Sequence, residues 1–506
     1  MTDLKTPATL VIRGGRLLDT ETGAAPERDI LVIDGRIATI GAPGLEAPEG
    51  TAVVDAGDCL MMPGLVNAHT HAHAALARGL VGDRATLELF LNSSASALQS
   101  RSVEDKYLSA ALSAVEMIRR GVTACYDLCV ELPCPSLEGL DAVARAYDDA
   151  GMRAVVAPML ADKTLYAALP GLIDALPEPT RARFAALAAA PMEASLGTCA
   201  ALFRDWPFDR ARIRPAIAPT IPLHCSDDFL RACGDLAREH DVPLQTHLAE
   251  TKTQALLGRQ KYGRSLTAHL ASLGLVTPRL SAAHAIWIDD DDIAMLADGG
   301  ARVAHNPMSN LRLGSGVAPV RRMLDRGLPV GIGTDGSSTS DGQNMFEATR
   351  LAAYLSRLAG PDTRAWLSAP EALRLATEGS AALLGFPTIG RIAPGYEADI
   401  VFLGLDAPHF VPLRAPLLQT VFGENGASIR RVMVGGRAIF EDGRMLTMDE
   451  AALRVQAEEA AARLDHANAG AAAGSASVAS FVGVFCTGVC GDPFHARRNF
   501  ECVGAG

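Results

Sequence analysis

Residues 60–71 read Leu60-Met61-Met62-Pro63-Gly64-Leu65-Val66-Asn67-Ala68-His69-Thr70-His71, a largely apolar run that ends in two histidines one residue apart. Strand side chains alternate with period two, so His69 and His71 share a face at a strand's C-terminal end. Seven further strand-like runs follow: Gly121 to Leu128, Arg153 to Leu160, Ile213 to Thr220, Pro243 to Glu250, Leu280 to Ile288, Ala301 to Asn306, and Pro329 to Gly336. Helical patterns lie between them, as in Ser102 to Arg120, which opens on Ser102-x-x-Asp105 and stops at Gly121. Eight βα units predict an α/β protein built on a (β/α)8 TIM barrel. An open doubly wound sheet would announce a Gly-rich phosphate loop after an early strand, and none is found.

Both ends of the chain are β-rich. Ile30 to Ile33, Asp34-Gly35 and Arg36 to Ile40 form a two-residue hairpin signature, and Thr51 to Asp55 begins another strand. Asp399 to Leu403, Arg431 to Val434 and Arg437 to Phe440 repeat the pattern near the other end. They predict a small β-sandwich made from the N- and C-terminal segments. The expected division is 1–59 (sandwich, first part), 60–387 (barrel), 388–447 (sandwich, second part), 448–467 (terminal helix) and 468–506 (weakly ordered tail). Asn468 to Gly491 is uncharged and approaches a membrane span in length, but its Gly and Ser content makes a poor one. The barrel is complete without residues 470–506, which are expected to be dispensable for metal content and activity.

The 506 residues carry 46 basic and 58 acidic side chains, a net charge of −12. That balance argues against nucleic acid or an anionic membrane as partner. The opening MTDLKTPATL lacks the basic-then-apolar pattern of a secretory signal, and ten cysteines imply no disulfide framework. A cytoplasmic location is expected.

Chemistry concentrates at the strand ends, where barrel active sites sit. These carry His69 and His71, then His247 with Glu250, then His284, His305 and Asp335. Imidazoles on one face, joined by another imidazole and a carboxylate, suit a divalent ion such as zinc, with iron as the alternative. Such an ion makes hydroxide available at neutral pH. Asp335 could ligate and accept the water proton, and Glu250 could protonate a ring nitrogen and then the departing amine. His284 would orient the attacking oxygen or stabilise developing charge. Weaker substrate-binding candidates are His73, Trp287, His305, Asn306, Ser309 and Asn310, with His224 and Cys225 after strand four. Cys486, Cys490, His495 and Cys502 match no common structural zinc spacing.

The runs Pro63 to His71, His247-Leu248-Ala249-Glu250-Thr251, His305-Asn306-Pro307-Met308-Ser309-Asn310, Gly333-Thr334-Asp335-Gly336 and Gly395 to Val401 together resemble the amidohydrolase superfamily. The resemblance is to the branch of cytosine, guanine and adenosylhomocysteine deaminases and triazine hydrolases, over about residues 8 to 445. It implies His69, His71, His247 and Asp335 as metal ligands, with His284 and Glu250 completing the catalytic group. The superfamily's two-metal type needs a carboxylated lysine on strand four. Residues 213–220 contain none of the chain's five lysines, so one ion per subunit is expected. The implied activity is hydrolytic deamination of an amino-substituted nitrogen heterocycle of purine, pyrimidine, pterin or triazine type. Its alternative is displacement of chloride or alkylamine from a triazine, or hydrolysis of another C–N bond. A homodimer or higher homo-oligomer is expected. A ligand-free scaffold is disfavoured, because all four ligands and Glu250 are present.

Overall fold

A computed structural model describes residues 8–494. The chain opens with β1 (Thr9–Leu17), β2 (Glu27–Ile33), β3 (Arg36–Gly41), β4 (Ala52–Asp55) and β5 (Cys59–Pro63). Asp34 and Gly35 link β2 to β3 with φ of 47° and 79°, the positive pair that a tight hairpin turn requires. Next come β6 (Leu65–Thr70), β7 (Val122–Cys129) and β8 (Arg153–Leu160), with the short pieces β9 (Ile213–Pro215) and β10 (Ala218–Pro219). All five belong to one parallel sheet. The strands β11 (Leu244–Leu248), β12 (Leu280–His284), β13 (Arg302–His305) and β14 (Val330–Ile332) form a second. A parallel bridge from Ile217 to Leu244 joins the two sheets on one side. On the other, the Asp335 amide donates to the His69 carbonyl at 2.9 Å. Every residue of β7 is buried, as expected of a strand covered on both faces.

Two expectations are corrected. The run 60–71 is two strands, because Pro63-Gly64 passes the chain from one sheet to another: residues 60–63 belong to β5, outside the parallel sheets. Gly64 is needed there, since a Cβ would lie 2.2 Å from the Thr123 hydroxyl. Strand four breaks into β9 and β10, where Pro215 and Pro219 withdraw two backbone donors. The terminal strands, for their part, pair into one continuous sheet. With β15 (Ile400–Gly404), β16 (Ile429–Val434), β17 (Arg437–Glu441) and β18 (Arg444–Met445), nine strands run in the order β18-β17-β16-β15-β5-β1-β2-β3, with β4 beside β1. Both chain ends contribute, as expected, and β5 pairing with β15 is the seam.

The C-terminal region also departs from expectation. Helices span Glu450–Ala476 and Ala479–Cys490, well past residue 467, with a bend of 47° between them. Leu453, Ala457, Ala460, Leu464 and Asn468 follow one another at intervals of three and four and are buried on one face. Among the described residues no single helix is long and apolar enough to cross a membrane. Cys486 is buried, while His495 and Cys502 lie outside the described residues.

Arg153 of β8 bolts the parallel sheet to the terminal one. Its guanidinium donates to Asp399 at 2.9 Å and to Glu397 at 2.9 Å, and Asp399 is 1% exposed. Arg153→Met should cost about 3–5 kcal/mol by leaving a buried carboxylate without its cation. Thermal unfolding checks this; an unchanged midpoint would mean that strand pairing alone holds the seam.

Candidate metal centre and its cavity

The ends of β6, β11, β12 and β14 bring His69, His71, His247, His284 and Asp335 to one point. Ring centroids of His69 and His71 are 4.7 Å apart, those of His69 and His247 5.0 Å, and those of His247 and His284 5.5 Å. The backbone bends sharply to achieve this: His284 and Asp335 sit at φ of 69° and 63°. That left-handed conformation costs a residue with a Cβ about 1–3 kcal/mol.

Hydrogen bonds fix the direction of each ring. Nδ1 of His69 faces Gln245 Oε1 at 2.6 Å, that of His71 the Leu128 carbonyl at 2.8 Å, and that of His247 the Thr220 carbonyl at 2.6 Å. A ring nitrogen held against such an oxygen carries the proton, so Nε2 is the bare lone pair in all three. These lone pairs converge. His71 Nε2 lies 3.2 Å from His247 Nε2 and 3.2 Å from Asp335 Oδ1. His69 Nε2 is 3.5 Å from the same oxygen and has no hydrogen-bond partner.

Burial pushes the His71 imidazole down to about 4 and that of His247 well below its usual range, with the neighbouring rings adding to the effect. Both are therefore neutral at pH 7. Burial works to raise the Asp335 carboxyl, and only positive charge at the facing imidazole nitrogens brings it below the usual carboxylate range. Lone pairs and a carboxylate facing one another in a dry interior repel unless a cation lies between them. Nitrogen ligands about 2.0–2.1 Å from a tetrahedral ion stand about 3.3 Å apart, close to the spacing here. The donor set fits a divalent metal.

Glu250 lies just past β11, its Oε2 3.7 Å from His284 Nε2 and its Oε1 buried without a partner. Burial, then the charges of Asp335 and Glu88, raise this carboxyl well above its usual range, which favours the protonated form. His284 is held by Asn310 Oδ1 at 2.8 Å from Nδ1 and by Asn306 Nδ2 at 3.3 Å from Nε2. Ser309 donates to Asp335 Oδ2 at 2.6 Å. Asn306, Ser309 and Asn310 thus brace the centre and are not among the side chains that line the cavity. Trp287 and His305 are not there either: the Trp287 indole donates to the Ser315 carbonyl at 2.8 Å, and His305 is 1% exposed.

The cavity has a volume of about 790 Å³, and His71, His73, His247, Glu250 and Asp335 all face it. His224 faces it too, whereas Cys225 is buried. Helix Leu87–Ala97 and the segment between β8 and β9 supply much of the wall. So do Ala471, Gly474 and Ser475 of the C-terminal helix, which places residues first read as dispensable against the active cavity. Sequence reasoning also missed Gln245, although it precedes His247 by two and so shares its strand face.

Residues 60–439 match the model of the Amidohydrolase family, and the chain belongs to it. The fold is accordingly an α/β fold of TIM-barrel type. The chain is 35% identical over 433 residues to a 5-methylthioadenosine/S-adenosylhomocysteine deaminase of Syntrophobacter fumaroxidans, covering 84% of this chain and 92% of that one. It is 33% identical to a 5'-deoxyadenosine deaminase of Methanothermobacter thermautotrophicus, covering 90% and 99%. An adenosine deaminase from Xanthomonas campestris with bound zinc superimposes with a TM-score of 0.79 at 28% identity, over 90% and 98% of the two chains. A triazine hydrolase from Arthrobacter aurescens gives 0.80 at 26% identity, over 90% and 100%.

Gln245→Leu removes the acceptor that fixes the His69 ring and should weaken metal binding about 10–100-fold. Competition with a chelator measures it, and unchanged affinity would take Gln245 out of the site.

Proposed function

We propose that this amidohydrolase deaminates the amino-substituted purine of an adenosine-type nucleoside, using one divalent ion held by His69, His71, His247 and Asp335. The observation that carries the reading is Glu250, a buried carboxyl favouring its protonated form beside a ligand set for a divalent ion. Deamination needs both a nucleophile and an acid, because the amino group leaves only once the ring nitrogen and then the amine are protonated. The names carried by the relatives point the same way. Zinc is the proposed ion, supported by three nitrogen donors with one oxygen and by the zinc in the Xanthomonas relative. A closed eight-stranded barrel and a cytoplasmic homo-oligomer complete the proposal.

An ion at this site lowers the pKa of a bound water toward about 7 and so supplies hydroxide at neutral pH. Asp335, held ionised, accepts the proton that the attacking water gives up. His284 offers a neutral ring nitrogen 3.9 Å from Asp335 Oδ2 and 3.7 Å from Glu250 Oε2, and so orients the water between them. Glu250 gives its proton to the ring nitrogen beside the carbon under attack, then takes the proton of the added hydroxyl and passes it to the departing amine; the proton held by Asp335 restores Glu250 to its starting form. The products are the ring carbonyl and ammonia.

Triazine dechlorination is the rival, favoured by the Arthrobacter neighbour. A panel of 5'-deoxyadenosine, 5-methylthioadenosine, S-adenosylhomocysteine, guanine, cytosine and a chlorotriazine, followed for ammonia and chloride, separates the two. Ammonia from the adenosine compounds is expected; chloride release alone would overturn the proposal. Glu250→Gln should keep its metal and lose about 10²–10⁴-fold in turnover, chiefly in kcat. Ammonia release at the wild-type rate would remove this carboxyl from the mechanism.

A further inference from the structure

We propose that the C-terminal helix Glu450–Ala476 determines how large a substituent the substrate can carry, through Ala471, Gly474 and Ser475. The inference rests on the reading of the cavity as a heterocycle-binding site. Residues 471, 474 and 475 stand three and four apart, hence on one helix face, and all three line the cavity that Glu250 and Asp335 also face. The match to the family ends at residue 439, ahead of this helix. The wall is therefore a feature of this chain lying outside the matched family region.

Three observations make it a built wall. First, Asn92, 3% exposed, locks three cavity segments together: its Nδ2 donates to the Ser475 carbonyl at 3.0 Å, and its Oδ1 accepts from the Tyr166 hydroxyl at 2.7 Å. Second, Asn468, one turn before Ala471, donates to the Gln99 carbonyl at 3.0 Å, and Lys252 donates at 2.7 Å to the carbonyl of Cys490 in the helix that follows. Helix Glu450–Ala476 is thereby pinned just before its cavity-facing residues and at Ser475, and the helix that follows it is pinned at its end. Third, glycine inside a helix costs about 1 kcal/mol against alanine, so Gly474 calls for a reason. A Cβ there would lie 2.7 Å from Nη2 at the free end of Arg183, so a larger side chain would displace that guanidinium rather than the backbone. The guanidinium of Arg183, another cavity-lining residue, rests on the bare helix backbone, and among the described residues it forms no ion pair. Side chains of minimal size on this face keep the cavity open where a larger residue would fill it.

Gly474→Leu and, independently, Ala471→Leu should therefore shift selectivity against bulky substrates. The ratio of kcat/KM for 5'-deoxyadenosine to that for S-adenosylhomocysteine should rise about 10-fold or more, through KM for the larger compound, the usual worth of a filled pocket. Metal content should stay at the wild-type level. The same ratio is measured between triazines carrying short and long N-alkyl groups. If the nucleosides release no ammonia, the function proposal fails while the alkyl series still tests the wall. Losses equal for small and large substrates in both variants, or no change in either ratio, would overturn the inference.

Discussion

Lone pairs turned toward one another in a dry interior need a cation between them, and much of the chain is arranged around that need. Nothing about the imidazoles forces this convergence. It is imposed by an oxygen behind each ring: Gln245 behind His69, and the carbonyls of Leu128 and Thr220 behind His71 and His247. Each oxygen accepts a hydrogen bond from the ring's Nδ1–H and leaves the opposite nitrogen bare. The strained backbone at His284 and Asp335 belongs to the same arrangement. Folded without an ion, the chain would carry repulsion, strain and the unpartnered His69 Nε2 together. With one, the same groups become its ligands, so ion binding and stability of this region are coupled.

The terminal sheet and the C-terminal helices both support the region around that centre. The terminal sheet grips β8 through Arg153, with Asp399 and Glu397 reaching in from the chain's second half. The C-terminal helices close over the cavity, against helix Leu87–Ala97. Chemistry is thus confined to strand ends, which the parallel sheets hold rigid. Selectivity is left to the walls, which can change without disturbing the ligands.

The candidate strand-end residues were legible in the sequence because period-two geometry places His69 and His71 on one face and strand ends are where barrel sites form, and it was the resemblance to the amidohydrolase superfamily that singled out His247 and Asp335 as the proposed partners. Their braces were less so. A backbone carbonyl such as that of Thr220 leaves no mark in a sequence, and Asn306, Ser309 and Asn310 were visible as polar but not as second supports for Asp335 and His284. The run 60–71 misled because hydrophobicity predicts a buried strand without saying which sheet it joins. Pro63-Gly64 was the one clue to the division. The C-terminal helix was underestimated for a different reason: alanine and glycine carry little contrast, so a buried stripe made of them looks like filler.

The central claim is one ion bound by three imidazoles and a carboxylate. X-ray absorption at the metal edge, with elemental analysis of the purified full-length protein, tests it most directly. The account predicts one ion per chain, with about three nitrogen neighbours at about 2.0–2.1 Å and oxygen completing the shell. A metal–metal vector of about 3.5–4 Å, or sulfur in the first shell, would contradict it.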